Sequence, residues 1–257
     1  MRPYGGRDGA QVSEFTLPEP RRNWALFLDF DGTLAELAPH PDAVRIDPAL
    51  PGLLETIFSE LDGALAVVSG RRLSELDRHL RVRLPAAGVH GLELRERPGA
   101  TIHPPAEALL IARLKARLTG FVAADNRLLL EEKPGALALH FRQAPDKAAE
   151  CARLMEEATA DLDGIHVLKG KMVLEAKPAR VNKGYAIEAM MKEPPFIGRI
   201  PVFAGDDTTD EDGFRIVNAL GGISIKIADG DTLARYRMDD VQGFINWLKH
   251  VASVLSP

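Results

Sequence analysis

Short apolar stretches with strand character alternate with helix-like stretches along much of this 257-residue chain. Four stretches are predicted to be buried strands: WALFLDF (24–30), GALAVVS (63–69), IPVFAGD (200–206) and GISIKIA (222–228). Helix-like patterns separate or follow them over roughly 47–62, 72–80, 182–192, 210–219 and 240–254. A strand followed by a helix, repeated, is typical of a parallel sheet with helices on both faces. The sequence therefore predicts an α/β fold with a doubly wound parallel sheet as its core.

The middle of the chain, roughly residues 99–180, has a different pattern. A helix-like stretch precedes two alternating runs, RLLLEEK and ALALHFR, which Pro134 and Gly135 separate. A second helix-like stretch around Cys151 precedes the run IHVLKGKMVLEAK. Helix, two strands, helix and two strands favour a small α+β domain with an antiparallel sheet. We therefore predict that an α+β domain at 99–180 is inserted into a core formed by 23–98 and 181–257, after a flexible N-terminal tail at 1–22.

Composition narrows the classes of function. The formal net charge of −5 provides no basic surface for nucleic acid or for an anionic membrane, which favours a small-molecule partner. No apolar run approaches the ~20 residues that cross a bilayer, and residues 1–22 lack the apolar segment of a signal peptide. The single cysteine excludes an internal disulfide. We expect a cytoplasmic, monomeric protein with no nucleic-acid or membrane partner.

Oxygen-bearing residues follow three of the four predicted core strands. Asp29 and Asp31 end the first strand, Ser69 the second, and Asp206 and Asp207 the third. In open parallel sheets, ligands bind at the carboxyl ends of the strands. We therefore expect these five side chains to meet in one place.

The types and spacing of these residues indicate phosphate chemistry. Side chains alternate along a strand, so Asp29 and Asp31 begin on the same side, and Gly32 permits a turn after them. Converging carboxylates repel one another unless a cation lies among them, and oxygen-only ligands favour Mg²⁺ shared with a substrate phosphate. Lys183 stands at a predicted helix start, where both its ammonium and the helix N-terminus attract anions. The pattern predicts a Mg²⁺-dependent phosphate site.

Four motifs occur in a fixed order: DFDGTL, VSGR, the lysine of NKG, and GDDTTDED. In that order they resemble the signature motifs of the haloacid dehalogenase superfamily of aspartate-nucleophile phosphatases. The wording of the last motif, the preceding SGR and the position of the insertion resemble the trehalose-6-phosphate phosphatase branch of that superfamily. The segments GVHG, EEKPGALALHFR and KMVLEAKP are also similar to it. The resemblance extends over most of residues 24–250 and leaves out the N-terminal tail.

The resemblance implies a haloacid-dehalogenase-like core with a cap domain, and it implies roles for the core residues. Asp29 would attack phosphorus and form an aspartyl-phosphate, and Asp31 would act first as general acid and then as general base. Ser69 would bind phosphoryl oxygens, and Lys183 would neutralise charge as the bond breaks. The implied Mg²⁺ ligands are Asp29, Asp31 through its backbone carbonyl, Asp206 and Asp207. For Asp207 and Asp210 the resemblance implies a contact with the metal through water, or a supporting contact to its ligands. Further implied substrate contacts in the core are Thr33, Gly70, Arg71 and His90.

The insertion is expected to supply substrate specificity, because the core groups contact only a phosphate. The two-residue period of a strand places three pairs on common faces: Glu131 with Lys133, His140 with Arg142, and Lys171 with Glu175. Mixed carboxylates and cations suit sugar hydroxyls, although a solvated sheet face would show the same pattern. The resemblance favours the sugar interpretation. The predicted substrate contacts in the insertion are Glu131, Lys133, Arg142, Lys171 and Glu175.

Residues and resemblance together predict a Mg²⁺-dependent phosphatase that hydrolyses trehalose 6-phosphate to trehalose and phosphate. One alternative is another sugar phosphatase of the same superfamily, acting on sucrose phosphate or mannosylglycerate phosphate. A second alternative is a non-catalytic lobe that senses a sugar phosphate and regulates a partner. The complete set of Asp29, Asp31, Lys183 and Asp206 argues against a sensor, which needs no nucleophile.

Overall fold

The computed structural model describes residues 17–38, 40, 43–101, 106–133, 135–179 and 181–256. Residues 1–16 of the predicted tail lie outside the described residues. Residues 17–22, which the sequence analysis assigns to the same tail, contact the core. Leu17 packs against the core cluster, and Arg22 donates a hydrogen bond of 2.5 Å to the carbonyl of Leu255. Arg22 also pairs with Glu60 at 2.9 Å.

Within the described residues, the core sheet has seven strands: β1 (Trp24–Leu28), β2 (Leu65–Val68), β3 (Ala86–Gly88), β4 (Glu93–Arg95), β9 (Ile200–Gly205), β10 (Ile223–Ile227) and β11 (Tyr236–Met238). Their order across the sheet is β11-β10-β9-β1-β2-β3-β4. Strand β1 lies at the centre and pairs in parallel with β2 and with β9, whereas β4 is antiparallel at one edge. All five residues of β1 are buried, as a sheet covered on both faces requires.

Five helices of the described part of the chain pack around this sheet: α1 (Leu50–Glu60), α2 (Leu73–Leu80), α5 (Lys183–Met190), α6 (Glu211–Ala219) and α7 (Val241–Leu255). Each contributes buried side chains to one continuous apolar cluster with the strands. The helices lie within three residues of the ranges predicted from periodicity. Strands β3, β4 and β11 were not predicted, because three residues are too few to show a periodic pattern. The predicted α/β class is confirmed.

The middle of the chain forms a second sheet with its own apolar cluster. Its elements are α3 (Ala106–Ala123), β5 (Leu129–Lys133), β6 (Ala136–His140), α4 (Ala148–Thr159), β7 (Ile165–Gly170) and β8 (Val173–Pro178). The strand order is β5-β6-β8-β7, with every neighbour antiparallel. Leu114 of α3, Leu137 of β6 and Cys151 of α4 are buried in one cluster, which places both helices against the sheet. This is the predicted α+β insertion; its boundaries at 99 and 180 remain predictions.

None of the described helices is long and apolar enough to cross a membrane. The expected cytoplasmic location, the expected monomer and the expected lack of a nucleic-acid partner remain predictions.

Candidate active site

The carboxyl ends of three neighbouring strands meet at one edge of the core sheet. Because β1 lies between β2 and β9, Asp29 is flanked by Ser69 on one side and by Asp206 on the other. The ladder extends to this edge: the N–H of Asp29 donates to the carbonyl of Ala204 at 3.0 Å. A cavity of about 380 Å³, the active-site cavity, is lined by Asp29, Asp31, Leu37, Ser69, Gly70, His90, Lys183, Asp206, Asp207 and Thr209. The structure thus brings together the residues that end the three strands.

Lys183 lies at the centre of the site and holds two carboxylates. Its Nζ donates to Asp29 Oδ1 and to Asp210 Oδ1, each at 2.7 Å, and the lysine is only 3% exposed. It is the first residue of α5, whose N-cap Asn182 accepts a hydrogen bond of 2.8 Å from the Tyr185 N–H. The cap fixes where the helix begins, so it also fixes where the ammonium enters the cavity.

Asp210 is fully buried and organises the acidic loop. Its Oδ2 accepts hydrogen bonds from the backbone N–H of Asp206 at 3.1 Å and of Asp207 at 2.9 Å. A short 3₁₀ turn, Thr208–Asp210, folds the loop back so that Asp210 lies next to the end of β9. Gly205 makes room for it, because a Cβ at that position would lie 2.3 Å from Asp210 Cγ. With both oxygens engaged, Asp210 acts as a fixed partner of Lys183 and of the loop. The sequence analysis expected Asp210 either to contact the metal through water or to support its ligands.

Burial and mutual repulsion set the protonation of these groups. Burial raises the pKa of Asp29 well above its usual value, against the opposing effect of Lys183. Burial also raises the pKa of Asp206 to about 6, and the negative charge of Asp210 adds to the shift. For Lys183, burial alone would lower the pKa, but Asp29 and Asp210 outweigh it and the pKa is raised. The lysine therefore stays charged beside carboxylates that are costly to ionise.

The carboxylates form a group that fits a hard cation. Asp29, Asp206 and Asp210 each offer an oxygen within 4.8 Å of the others. Asp206 Oδ1 is buried and has no hydrogen-bond partner among the described residues. A buried carboxylate oxygen of this kind can serve as a ligand to a cation. Gly32 makes room for Asp206: at its φ of +76°, a Cβ would lie 2.0 Å from Asp206 Oδ2. Since Asp210 is engaged elsewhere, Asp29 and Asp206 are the side chains that fit a metal ion best.

Asp207 lies apart from this group. It is exposed, and its Oδ1 accepts hydrogen bonds from the Thr208 N–H at 2.5 Å and from Thr208 Oγ1 at 3.0 Å. Burial would raise the pKa of Asp207, but these hydrogen bonds outweigh it and lower the pKa. The side chain caps the turn that carries Asp210, and its predicted role as a metal ligand remains a prediction.

Of the predicted phosphate contacts, Ser69 and Gly70 line the active-site cavity, whereas Thr33 is not among its lining residues. Ser69 is 1% exposed, and its Oγ accepts a hydrogen bond of 3.2 Å from the Arg71 N–H. Thr33 is fully buried, and its Oγ1 has no hydrogen-bond partner within the described part of the chain. Gly70 lies against the ring of His90: a Cβ added to Gly70 would lie 2.8 Å from His90 Nε2. The hydroxyl of Thr33 is therefore able to donate to an anion, and the lack of a side chain at Gly70 lets an anion approach the backbone there.

His90 has an unusual backbone at this rim. It lies in the left-handed region at φ 56°, and its N–H donates to the carbonyl of Ser69 at 2.9 Å. Burial lowers the pKa of the imidazole, and the nearby Lys183 charge lowers it further. A neutral imidazole at the cavity wall can donate or accept a hydrogen bond, which suits a substrate hydroxyl.

In the insertion, the strand register places three of the predicted contacts, Glu131, Lys133 and Glu175, on one open face of the sheet. On β5, Glu131 lies opposite Ala138 of β6, and Lys133 lies opposite Ala136. On β8, which neighbours β6 on its other side, Glu175 also lies opposite Ala138. Lys133 donates to Glu175 at 2.6 Å, and His140 lies 2.7 Å from Glu131. The other face carries the leucines that pack under the helices.

A second cavity of about 380 Å³, the cap cleft, joins this face to the core. From the insertion it is lined by Lys133, Gly135, Ala136, Glu175, Lys177 and Pro178. It shares His90, Lys183 and Thr209 with the active-site cavity. A molecule held at Lys183 can therefore extend towards Lys133 and Glu175. Lys177 was not predicted from the sequence.

Arg142 and Lys171 lie elsewhere in the insertion. Both are exposed, and neither is among the residues that line the two cavities. Lys171 lies in the two-residue turn between β7 and β8, four positions along the chain from Glu175. Their roles as sugar contacts remain predictions.

Lys226 is a buried residue of the site that the sequence analysis did not find. It is 5% exposed near the end of β10, and its Nζ donates to the backbone carbonyl of Asp206. Its charge also lowers the pKa of Asp207. The signal in the sequence is a lysine inside the otherwise apolar run GISIKIA, at the same end of the sheet as the aspartates.

The fold and the site define a phosphatase of the haloacid dehalogenase type with an α+β cap. Their shared features are a central parallel sheet, aspartates at the strand ends, a buried lysine and an acidic loop. Among solved structures, trehalose-6-phosphate phosphatase from Aspergillus fumigatus superposes with a TM-score of 0.68 at 25% identity. That match covers 90% of this chain and 93% of the fungal one.

Sequence comparison narrows the class to one family. The family model described as trehalose-phosphatase matches residues 27–242. A probable trehalose-phosphate phosphatase from Sinorhizobium fredii is 47% identical over 207 residues, which is 80% of this chain and 78% of the relative. Trehalose-6-phosphate phosphatase from Escherichia coli is 43% identical over 242 residues, covering 93% and 90%. The chain belongs to the trehalose-phosphatase family, which confirms the predicted membership.

Proposed function

We propose that the protein hydrolyses trehalose 6-phosphate to trehalose and inorganic phosphate. The observation that carries the proposal is the buried Asp29–Lys183 pair at the floor of a cavity that continues into the cap cleft. A phosphate at Asp29 leaves its sugar in the cleft, beside Lys133 and Glu175. Relatives at 43% and 47% identity carry the name of this activity.

The residues supply a two-step displacement. Asp29 attacks phosphorus, an aspartyl-phosphate forms, and the sugar oxygen leaves with a proton from Asp31. Water then attacks phosphorus, Asp31 accepts its proton, and the bond to Asp29 breaks with return of the carboxylate. Lys183, Thr33 and Ser69 donate hydrogen bonds to the phosphoryl oxygens, where negative charge develops.

Asp29, the backbone carbonyl of Asp31 and Asp206 would hold Mg²⁺, which supplies Lewis-acid stabilisation of phosphoryl charge when bound. Two observations support this choice of ion: Asp206 Oδ1 has no hydrogen-bond partner in the described part of the chain, and the donor set offers oxygen only.

The test is phosphate release from a panel of sugar phosphates that includes trehalose 6-phosphate, sucrose 6-phosphate, mannosylglycerate phosphate and glucose 6-phosphate. We expect kcat/KM to be highest for trehalose 6-phosphate. A higher kcat/KM for another sugar phosphate of the panel would identify that compound as the substrate. No phosphate release from any of them would support the sensor alternative.

Removal of divalent metal is expected to lower turnover by on the order of 10³-fold, since Lewis-acid stabilisation is worth several kcal/mol. Mg²⁺ should restore turnover and should also raise the Tm, an effect that Asp206→Asn should abolish.

With the pKa of Asp206 at about 6, protons compete with the metal below that pH. The apparent Mg²⁺ affinity, measured by thermal shift, should therefore weaken from pH 7 to pH 5. Full turnover in the metal-free protein would contradict this prediction.

Glu175→Ala is expected to lower kcat/KM for trehalose 6-phosphate by about 10- to 100-fold, the value of one charge-assisted hydrogen bond to a sugar hydroxyl. Hydrolysis of a small aryl phosphate should change little, because that substrate does not reach the cap cleft. Glu157→Ala is the matched control, since Glu157 is an exposed cap carboxylate that pairs with Arg153 at 2.7 Å. Equal losses on both substrates would show that Glu175 supports the fold instead.

A further inference from the structure

Asp31 is bound by an arginine at both of its oxygens. Arg71 Nε donates to Asp31 Oδ2 and Arg71 Nη2 donates to Asp31 Oδ1, each at 2.7 Å. The Arg71 side chain is 10% exposed and that of Asp31 is 33% exposed, so the pair is partly shielded from water. Such a two-pronged pair fixes the plane of the carboxylate as well as its position, which a single hydrogen bond cannot do.

Arg71 is itself held in place by neighbouring protein groups. Its guanidinium carbon lies 5.4 Å from the centre of the Phe30 ring, and Nη1 lies 3.4 Å from His79 Nε2. Its backbone N–H donates to Ser69 Oγ, and its carbonyl accepts from the Val89 N–H at 2.9 Å. Stacking and hydrogen bonds therefore orient the guanidinium without any contribution from a substrate.

Arg71 stands beside the active-site cavity, not in its wall. Asp31, Ser69 and Gly70 line that cavity, and Arg71 is not among the lining residues. The sequence analysis predicted Arg71 as a substrate contact. Two of its guanidinium nitrogens, Nε and Nη2, already donate to Asp31. The geometry therefore favours an indirect role, in which Arg71 affects the reaction by holding the Asp31 carboxylate.

We propose that Arg71 is a positioning residue that holds Asp31 as an oriented carboxylate for hydrolysis of the aspartyl-phosphate. The inference rests on the proposed function. In this step a water oxygen bonds to phosphorus, Asp31 takes the water proton, and the bond from phosphorus to the Asp29 oxygen breaks with its electron pair returning to Asp29. Inorganic phosphate leaves. A base acts efficiently only when its lone pair is aimed at the water, and the Arg71 fork sets that aim.

An aryl phosphate separates the two halves of the reaction. Its leaving group departs without a proton, so formation of the aspartyl-phosphate does not need Asp31, whereas hydrolysis of that intermediate does. Because kcat/KM reports the steps up to release of the aryl oxide anion, loss of Arg71 should leave kcat/KM nearly unchanged. The same loss should lower kcat, which then reports hydrolysis of the intermediate.

The experiment compares the parent protein with Arg71→Met, Asp31→Asn and the double variant on para-nitrophenyl phosphate, using rapid acid quench and intact mass to detect phosphorylated protein. For Arg71→Met we expect kcat to fall about 10- to 100-fold, kcat/KM to stay within about twofold, and phosphorylated protein to accumulate. Asp31→Asn should accumulate more, and Arg71→Met should add nothing to it, because a residue that acts only through another shows no separate effect.

Two controls make the outcome decisive. Arg95 forms an equivalent fork with Asp77, at 2.8 and 2.7 Å and away from the cavity, so Arg95→Lys should lower the Tm without accumulation of phosphorylated protein. Arg71→Lys, which keeps the charge without the fork, should recover part of kcat and carries the test if Arg71→Met does not fold.

The proposal is overturned if Arg71→Met lowers kcat/KM as much as kcat, or damages Asp31→Asn by the same factor as the parent. Either result would make Arg71 a direct phosphate contact. If the parent shows no turnover and Asp31→Asn traps no phosphorylated protein, the proposed function fails as well. A trapped intermediate in Asp31→Asn alone would refute only the role of Arg71.

Discussion

Asp29→Asn is expected to abolish turnover, with a loss of at least ~10⁴-fold, while leaving the fold intact. The amide keeps the size of the side chain but cannot attack phosphorus, so no aspartyl-phosphate can form. Ionised Asp29 is costly to bury, as its raised pKa indicates, and Lys183 keeps its second partner Asp210 in the variant. The Tm should therefore change little. Phosphate release, intact mass after acid quench and thermal unfolding measure the three expectations.

Asp77→Asn is the matched control for loss of a carboxylate that pairs with a buried cation. Asp77 pairs with Arg95 in the same core and is not among the residues lining the active-site cavity. We expect its folded fraction to retain turnover while its Tm falls. Turnover by Asp29→Asn at the parent level would refute the nucleophile assignment, and a large fall in its Tm would show that Asp29 is needed for folding.

Lys183→Met is expected to lower both turnover and stability. The substitution leaves Asp29 and Asp210 buried without their shared cation, and breaking such buried pairs costs about 3–5 kcal/mol. At 2–4 °C per kcal/mol for a protein of this size, the Tm should fall by roughly 6–20 °C. Turnover should fall by about 10²- to 10³-fold, as for loss of one donor to developing charge. Thermal unfolding and steady-state kinetics test both.

The pH dependence of this destabilisation has a defined sign. Lys183 lowers the pKa of Asp29 in the present protein, so its removal leaves that pKa higher still. A carboxyl with a raised pKa adds stability while protonated and loses it as pH rises through the folded-state pKa. The Tm difference between Lys183→Met and the parent should therefore be smaller at pH 5 than at pH 8.

A second substitution separates stability from catalysis. Adding Asp210→Asn to Lys183→Met removes one of the two unpaired charges and should recover part of the Tm without recovering turnover. An unchanged Tm in Lys183→Met would contradict the importance of the buried ion pairs. Full recovery of turnover in the double variant would contradict the catalytic role of Lys183.

Local patterns in the sequence determined the class of fold and the residues that end its central strands. Continuous apolar runs such as 24–30 mark strands buried on both faces, and helical periodicity marks the segments between them. A parallel sheet then places Asp29, Ser69 and Asp206 at one edge without any further information. The two-residue period was equally sufficient to place Glu131 and Lys133 on one face of β5.

Partners distant along the chain were decided only by the tertiary structure. Lys183 holds Asp29 from 154 positions away and Asp210 from 27, and Arg71 holds Asp31 from 40. No local pattern records such pairings, because they depend on strand order, on where a helix begins and on burial.

The same holds for Lys226 and for the Lys133–Glu175 pair, whose partners are set by neighbouring strands and by register. The sequence by itself predicted which groups carry the chemistry. The packing of the chain decided which of them touch, and therefore which carboxylate is held by a lysine, which by an arginine and which has an oxygen left for a cation.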